Sequence, residues 1–450
     1  MSNNFRYFHV TDKRYLTAWV MVTLCFVLWG FANSVTTPLV NTFPKIFLIS
    51  NTEALQLPIV FYLGYLCIAL PAAIIIQRKS YKWGVLLAML MLAIGALLFI
   101  PSKMAGGYYP FLMAYFVLTC GLSFLEISCT PYIYTLGSKE HAIQRLNGAQ
   151  AFNAVGVLLG MAVATKVLSL LHPMETHIRR ALPLKQFYLI RDHDLNVLIQ
   201  PYILIAVVTI ILLVLMTQMR VPKDEDIRHS HGTLKILRQL FSQRNYREGV
   251  IAQCFYLGAQ VCCWTYIIQY GMRIFISEGM TEQHAMVLAQ KYNLLAIIFF
   301  AAGRFTCTWL LRWLNPSRML STLAVIGMVA LMGAILFTDR NGLYCMVTVS
   351  ACMSMMFPTI YGLALESVHA HVKIAAAGLA MAFLGGSLFP PLQALIIQSH
   401  ISLLGLPSTN VSMVLPLLCM MVVIWYGHRT YVRFHIKPDD GSLATTTPEE

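Results

Sequence analysis

The chain has 450 residues, of which 58% are hydrophobic and only 11% are charged. Soluble domains usually carry about 25% charged residues, so this composition excludes an ordinary water-soluble protein. The formal net charge of +13 does not indicate a nucleic-acid partner, because the basic residues lie in short segments between apolar stretches. The composition predicts that a lipid bilayer surrounds this protein.

Apolar stretches of roughly 20 residues recur along the chain, and this is the length that a helix needs to cross the hydrocarbon layer. In lipid they must be helices, because each backbone polar group has to be satisfied within its own segment. The fold class predicted is therefore an all-α membrane protein with twelve transmembrane helices. The predicted spans are 17–42, 56–76, 83–100, 110–136, 148–170, 200–218, 248–275, 287–312, 318–337, 342–365, 374–398 and 410–428.

The longest polar interruption, at 219–247, divides the spans into six and six. We predict an N-terminal six-helix bundle at 1–218, a cytoplasmic linker at 219–247, and a C-terminal six-helix bundle at 248–450. The acidic tail that begins at Asp439 is expected to be disordered. Two bundles related as parallel repeats are typical of one large class of transporters.

A short internal repeat supports this division. The run PYIYTL at 131–136 ends span four, and the run PTIYGL at 358–363 takes the same place in span ten. The offset of 227 residues also aligns Asn33 with Gln260 and Thr37 with Trp264.

The basic residues outside the spans predict the orientation of the chain. With the N-terminus inside, and with basic residues near the end of a span counted with the adjoining segment, 21 Lys and Arg residues lie on the cytoplasmic side and nine on the external side. This excess predicts that both termini are cytoplasmic. The segment 171–199, predicted to be external, is the exception, since it holds four basic residues.

Polar residues follow one side of four predicted spans. Such residues are costly at bilayer depth unless they face protein or water. They are explained either by hydrogen bonds between helices or by a shared water-filled cavity, and their presence on four helices favours the cavity. The four stripes are Asn33, Thr37 and Asn41; Thr119, Ser123, Glu126 and Thr130; Asn147, Gln150 and Asn153; and Gln253, Tyr256, Gln260 and Trp264.

Glu126 is the acid that lies well inside a span of the first half. It is a candidate for proton coupling, for accepting a sugar hydroxyl, or for both; the alternative is a structural acid bonded to neighbouring amides. Amides and carboxylates suit a substrate rich in hydroxyl groups. Four aromatic residues are candidates to stack on a sugar ring, although aromatic residues at such positions also simply pack: Tyr256, Trp264, Tyr266 and Tyr361. Arg304, in span eight, pairs with an acid, reaches a cavity or extends to the surface.

Several short runs also match a known family. They are 28–33, 69–73, 125–126, 131–133, 145–147, 149–150, 152–153, 258–260, 263–264, 303–306 and 357–360. At these residues the sequence resembles the L-fucose:proton symporter family of the major facilitator superfamily.

The resemblance implies twelve helices in two bundles, with alternating access around a central sugar site. We expect a monomeric protein of the bacterial inner membrane whose partners are a sugar, protons and the lipid bilayer. It implies that Glu126 couples protons and binds sugar near Gln150 and Asn153. One departure is Thr37, because proton-coupled members carry an aspartate there and threonine does not titrate in this range. The candidate substrate-binding residues are Asn33, Thr37, Glu126, Gln150, Asn153, Gln260, Trp264 and Tyr361.

Three functions are open to this sequence. The first is sugar:proton symport through Glu126, and the second is uncoupled transport or transport of another sugar, such as an amino sugar or a small oligosaccharide. The third, a membrane-embedded enzyme, is disfavoured because the spans contain no His-Glu-x-x-His run and no nucleophile elbow. No catalytic residue, metal or cofactor is predicted.

Overall fold

The computed structural model describes residues 15–54, 56–172, 176–219, 233–368, 371–399 and 405–433. The tail from Asp439 and the part of the predicted linker at 220–232 lie outside the described residues.

Helices account for the secondary structure of the first half. Those up to the linker are α1 Leu16–Val40, α2 Phe43–Phe47, α3 Asn51–Ala54, α4 Gln56–Arg78, α5 Tyr81–Leu97, α6 Phe99–Ala105, α7 Tyr108–Thr135, α8 Ala142–Leu170, α9 Thr176–Ala181 and α10 Leu184–Gln218. The short amphipathic helix α11 Thr233–Ser242 follows in the linker region.

The second half is helical in the same way. Its helices are α12 Arg244–Ser277, α13 Glu282–Leu310, α14 Pro316–Leu336, α15 Arg340–Met353, α16 Met356–Glu366, α17 Val372–Met381, α18 Leu384–Gln398, α19 Ser408–Val411 and α20 Val414–Tyr431.

Twelve helical stretches within the described residues are long and apolar enough to cross a membrane, which confirms the predicted fold class. Most of their ends lie within a few residues of the predicted ones. Spans one to twelve are Leu16–Phe47, Gln56–Arg78, Tyr81–Ala105, Tyr108–Thr135, Ala142–Leu170, Leu184–Gln218, Arg244–Ser277, His284–Leu310, Pro316–Leu336, Arg340–Glu366, Val372–Gln398 and Ser408–Tyr431.

Span six differs most from its prediction. The sequence predicted a start at residue 200, whereas α10 begins at Leu184. The charged residues at 191–194 marked a loop by hydropathy, but the carboxylate of Asp194 is fully buried and pairs with Arg179 at 2.6 Å. Because the charge is paired inside the protein, the helix continues through it.

Spans ten and eleven are each built from two helices. Span ten is interrupted at 354–355, between α15 and α16, and span eleven is interrupted at 382–383, between α17 and α18. Non-helical backbone at this depth is tolerated only where protein or water satisfies its polar groups. These interruptions therefore point to specific hydrogen-bond partners nearby.

The described residues fall into two compact units. The first comprises Met1–Leu240 with Val368–Ser387, and the second comprises Phe241–Ser367 with Leu388–Glu450. Part of span eleven thus groups with the first unit, where the Tyr62 hydroxyl donates to the Gly386 carbonyl at 2.6 Å. The bundle boundaries at 218 and 248 stay a prediction.

Span one packs against span five at very short range. A Cβ atom on Gly156 would overlap the Val27 carbonyl oxygen, and one on Gly30 would overlap the Asn153 carbonyl oxygen. Small residues are what allow helix backbones to approach this closely in membranes. The glycines therefore set the position of Asn153 relative to span one.

Candidate functional site

Glu126 lies on α7 in the first unit and is only 5% exposed. Its Oε1 atom accepts a hydrogen bond from the Thr130 hydroxyl at 2.8 Å and from the Gln150 amide at 3.3 Å. Thr130 is one helical turn further along α7, whereas Gln150 comes from α8. The structure therefore brings together three of the predicted stripe residues from two spans.

The carboxyl group of Glu126 is able to accept a hydrogen bond in one protonation state and to donate one in the other. A carboxylate is a strong hydrogen-bond acceptor, and the same group becomes a donor when it takes up a proton. Both of these donors are neutral groups, and together they hold Oε1 of Glu126 in a defined position. Buried ionisable groups inside transporters commonly mark ion or proton pathways.

Asn153 lies one turn after Gln150 on α8 and is 6% exposed. Its amide donates to the Phe26 carbonyl oxygen at 3.3 Å, which ties span five to span one. The resemblance implies that Glu126 binds sugar near Asn153; the contact that the structure shows for Asn153 is with span one.

Span one carries two further predicted residues. The Thr37 hydroxyl donates to the Asn33 carbonyl at 3.0 Å within the same helix, and the Thr37 side chain is exposed. The side-chain oxygen of Asn33 is buried and has no hydrogen-bond partner among the described residues.

In the second unit, two aromatic side chains and one arginine lie in contact between spans seven and eight. The rings of Trp264 and Phe300 meet edge to face, with centroids 4.9 Å apart and an interplanar angle of 82°. The Arg304 guanidinium carbon lies 4.8 Å from the centre of the Phe300 ring. The indole N–H of Trp264 is buried without a hydrogen-bond partner in the described part of the chain.

Arg304 also explains the interruption of span ten. A helical carbonyl normally accepts from the N–H four residues later, and for Ser354 that residue is Pro358, which has no N–H. The Arg304 Nε atom donates to the Ser354 carbonyl at 2.7 Å instead. Arg304 is 5% exposed, so its side chain does not extend to the surface, and the contact shown is with a backbone carbonyl.

A second side chain donates a hydrogen bond to the backbone next to the same interruption. The Tyr256 hydroxyl donates to the Met353 carbonyl at 3.0 Å, and Tyr256 is fully buried on α12. Tyr256 was predicted as one member of a polar stripe, and the structure shows that it binds backbone. Arg304 therefore contacts both the Phe300 ring and the interrupted backbone of span ten, and Tyr256 bonds to the same stretch of backbone.

The remaining predicted residues of the second unit are buried or nearly so. Gln260 is 9% exposed and Tyr361 is 3% exposed, with the Tyr361 ring stacked on Phe357 at 6.3 Å. Gln253 is fully buried, and neither of its amide atoms has a hydrogen-bond partner among the described residues. No hydrogen bond or ring contact given for the described residues joins Gln253, Gln260 and Tyr361 to one another.

Sequence reasoning missed Phe300 and Ser354. Phe300 is an aromatic residue in an apolar span, so nothing in the sequence sets it apart. Ser354 did carry a signal, because it lies four residues before Pro358. A proline inside a span predicts an orphaned carbonyl at that position.

Comparison with known proteins is consistent with this architecture. The model of the Major Facilitator Superfamily matches residues 22–390. The L-fucose-proton symporter of Haemophilus influenzae is 38% identical over 94% of this chain and 98% of its own. The glucose/galactose transporter of Brucella abortus is 25% identical over 93% of this chain and 95% of its own.

A solved structure agrees over nearly the whole chain. The crystal structure of the E. coli fucose:proton symporter, FucP, has a TM-score of 0.83 and 26% sequence identity, and the match covers 93% of this chain and 99% of that one. These relatives are transporters and not enzymes. The chain belongs to the Major Facilitator Superfamily and, within it, to the L-fucose-proton symporter family.

Proposed function

We propose that this protein carries L-fucose or a related hexose together with a proton across the bacterial inner membrane by alternating access. The observation that carries the proposal is the buried Glu126 carboxyl group, held by Thr130 and Gln150. A group of this kind is able to bind a sugar hydroxyl in one protonation state and to carry a proton in the other. The names of the relatives supply the substrate class.

Each unit by itself offers groups that suit a sugar. The first unit offers the carboxylate, the amides of Gln150 and Asn153, and the side-chain oxygen of Asn33. The second unit offers the Trp264 ring and its indole N–H, which has no hydrogen-bond partner among the described residues, with Gln260 and Tyr361 as further candidates. Hydroxyl groups pair with amides and carboxylates, and the apolar face of a sugar packs on aromatic rings.

Thr37 favours a second candidate function, namely uncoupled transport or transport of a different sugar. Its hydroxyl bonds to its own helix and does not titrate in the working range. Glu126 is then the one predicted site residue that is able to carry a proton. A glucose/galactose transporter among the relatives shows that the sugar varies across the wider group.

The deciding experiment uses the full chain reconstituted in vesicles. Uptake of labelled L-fucose is measured with and without an imposed pH gradient, and counterflow is measured with L-fucose, D-galactose, D-glucose and an amino sugar. Symport predicts gradient-driven accumulation of the sugar that gives the fastest counterflow. Rapid counterflow that ignores the gradient would establish the facilitator instead.

Orientation and assembly belong to the same proposal. The distribution of Lys and Arg predicts both termini in the cytoplasm, and we expect a monomer with lipid around it. Labelling of a cysteine placed at either terminus from each side of the membrane tests the orientation. Mass determination of the detergent-solubilised protein tests the monomer.

A further inference from the structure

The end of the first unit where span five finishes and span six begins holds a cluster of two histidines and one aspartate. His172 follows α8, and His193 and Asp194 lie near the start of α10. One nitrogen of each histidine and one oxygen of Asp194 all lie within 4.8 Å of one another. We propose that these three side chains bind a divalent transition-metal ion, such as Zn²⁺.

The distances suit that ion. His172 Nδ1 lies 3.2 Å from Asp194 Oδ1, and His193 Nδ1 lies 3.6 Å from the same oxygen. Ligands about 2.0–2.1 Å from a tetrahedral metal are separated from one another by roughly 3.3 Å. Small rotations of the two imidazole rings therefore bring all three atoms onto one ion.

Burial and access also fit a binding site. The Asp194 side chain is fully buried, whereas the side chains of His172 and His193 are 35% and 51% exposed. The ion thus reaches a buried carboxylate from water past two partly exposed imidazoles. Three protein ligands leave a fourth position for water, the arrangement that is usual at open zinc sites.

Arg179 gives the carboxylate its orientation. Its guanidinium donates to Asp194 Oδ2 at 2.6 Å, and Arg179 is itself 1% exposed. This contact neutralises the buried carboxylate and turns Oδ1 toward the histidines. The backbone N–H of His172 donates to the same Oδ1 at 3.0 Å. Partners of this kind around a ligating carboxylate are typical of metal sites and affect affinity about 10–100-fold.

The donor set selects the class of metal. Two imidazoles with one carboxylate suit zinc and other first-row divalent ions, whereas calcium and magnesium prefer sites made of oxygen alone. The bound ion would link the connection after span five to the first turns of span six. The sequence did not predict this site, because His172 and His193 are far apart along the chain and only folding brings them together.

The test titrates chelator-treated, purified full-length protein with Zn²⁺ by calorimetry. We expect one ion per chain, a melting temperature that rises on binding, and at least about a tenfold loss of affinity for His172→Gln or His193→Gln. Both variants retain the buried pair of Arg179 and Asp194. The matched control is His284→Gln, an exposed histidine at the start of α13, which should bind as the parent does.

Co²⁺ serves as a second probe that does not depend on the variants. The parent protein should acquire the intense visible absorption of a four-coordinate cobalt site, and the double variant His172→Gln/His193→Gln should not. Equal Zn²⁺ affinity in the parent and the double variant would overturn the proposal. So would a parent protein whose Co²⁺ spectrum matches that of the ion in buffer, whether or not the variants fold.

Discussion

Span four and span ten carry a proline at equivalent places, 227 residues apart, but their helices differ. Helix α7 continues through Pro131 to Thr135, whereas span ten is interrupted at 354–355, just before Pro358. The same offset places Glu126 opposite Met353. One half thus presents a carboxylate where the other presents a backbone carbonyl.

The partners of the two groups differ accordingly. Neutral donors from Thr130 and Gln150 bond to the carboxylate, while Tyr256 and the permanently charged Arg304 bond to the interrupted backbone. A repeated scaffold therefore supports unlike chemistry in its two halves. The first half holds a side-chain carboxyl group in place, and the second half supports interrupted backbone beside an aromatic pair.

The largest effect on transport is expected from Glu126→Gln, which changes the carboxyl group of the first half. Glutamine keeps the shape and an acceptor oxygen but does not titrate, so gradient-driven accumulation should be abolished while counterflow persists. Both are measured in vesicles. The control is Glu140→Gln, an exposed acid outside the spans that should leave both activities unchanged. Uphill accumulation by Glu126→Gln would show that the proton travels elsewhere.

Gly156→Val should separate span five from span one. Even the first added carbon would overlap the Val27 carbonyl oxygen, so we expect a loss of about 1–3 kcal/mol or more of stability. Thermal unfolding in detergent measures it. In the control Gly107→Ala, the new Cβ would lie 3.5 Å from its nearest neighbour, and the change should stay within about 0.5 kcal/mol. Equal melting temperatures would contradict the close packing.

Arg304→Met tests the support of span ten. It removes the donor to the Ser354 carbonyl, so we expect about 1–3 kcal/mol of destabilisation. Pro358→Ala returns an N–H to residue 358 and gives that carbonyl a donor of its own.

The double variant Arg304→Met/Pro358→Ala should therefore be more stable than the sum of the single changes predicts, by about 0.5–3 kcal/mol. Thermal unfolding of all four proteins measures this coupling. Strict additivity would show that Arg304 acts through a different contact, such as the Phe300 ring.

The smallest effect on stability is expected from Trp264→Phe. Phenylalanine keeps a ring against Phe300 but lacks the indole N–H, which has no partner among the described residues. Stability should change by less than about 0.5 kcal/mol. If the N–H donates to the sugar, the KM for sugar should rise severalfold while the melting temperature stays the same. An unchanged KM would leave Trp264 a packing residue.

Much of the architecture was predictable because hydropathy acts at the scale of a whole span. The twelve spans follow from apolar stretches of the right length, and most boundaries agree within a few residues. The start of span six was wrong, because paired charges such as Arg179 with Asp194 cannot be recognised from composition. The interruption in span eleven has no comparable signal.

At the candidate site, the sequence predicted which side chains are buried and polar, but it predicted few of their hydrogen-bond partners. The spacing placed Glu126 and Gln150 on the inner faces of their helices, and the structure shows them in contact. The spacing did not show that Asn153 bonds to span one, or that Arg304 replaces a donor removed by Pro358. Those contacts depend on angles and distances between helices.

The sequence by itself determined that the chain is a twelve-span helical membrane protein with a buried carboxyl group among amides. It did so because burying polar groups in lipid is costly enough to leave a pattern in the residues. Only the tertiary structure decided which donors meet Glu126, how span ten is interrupted, and that His172 approaches Asp194. These facts depend on how helices distant in sequence pack, and no local periodicity encodes that.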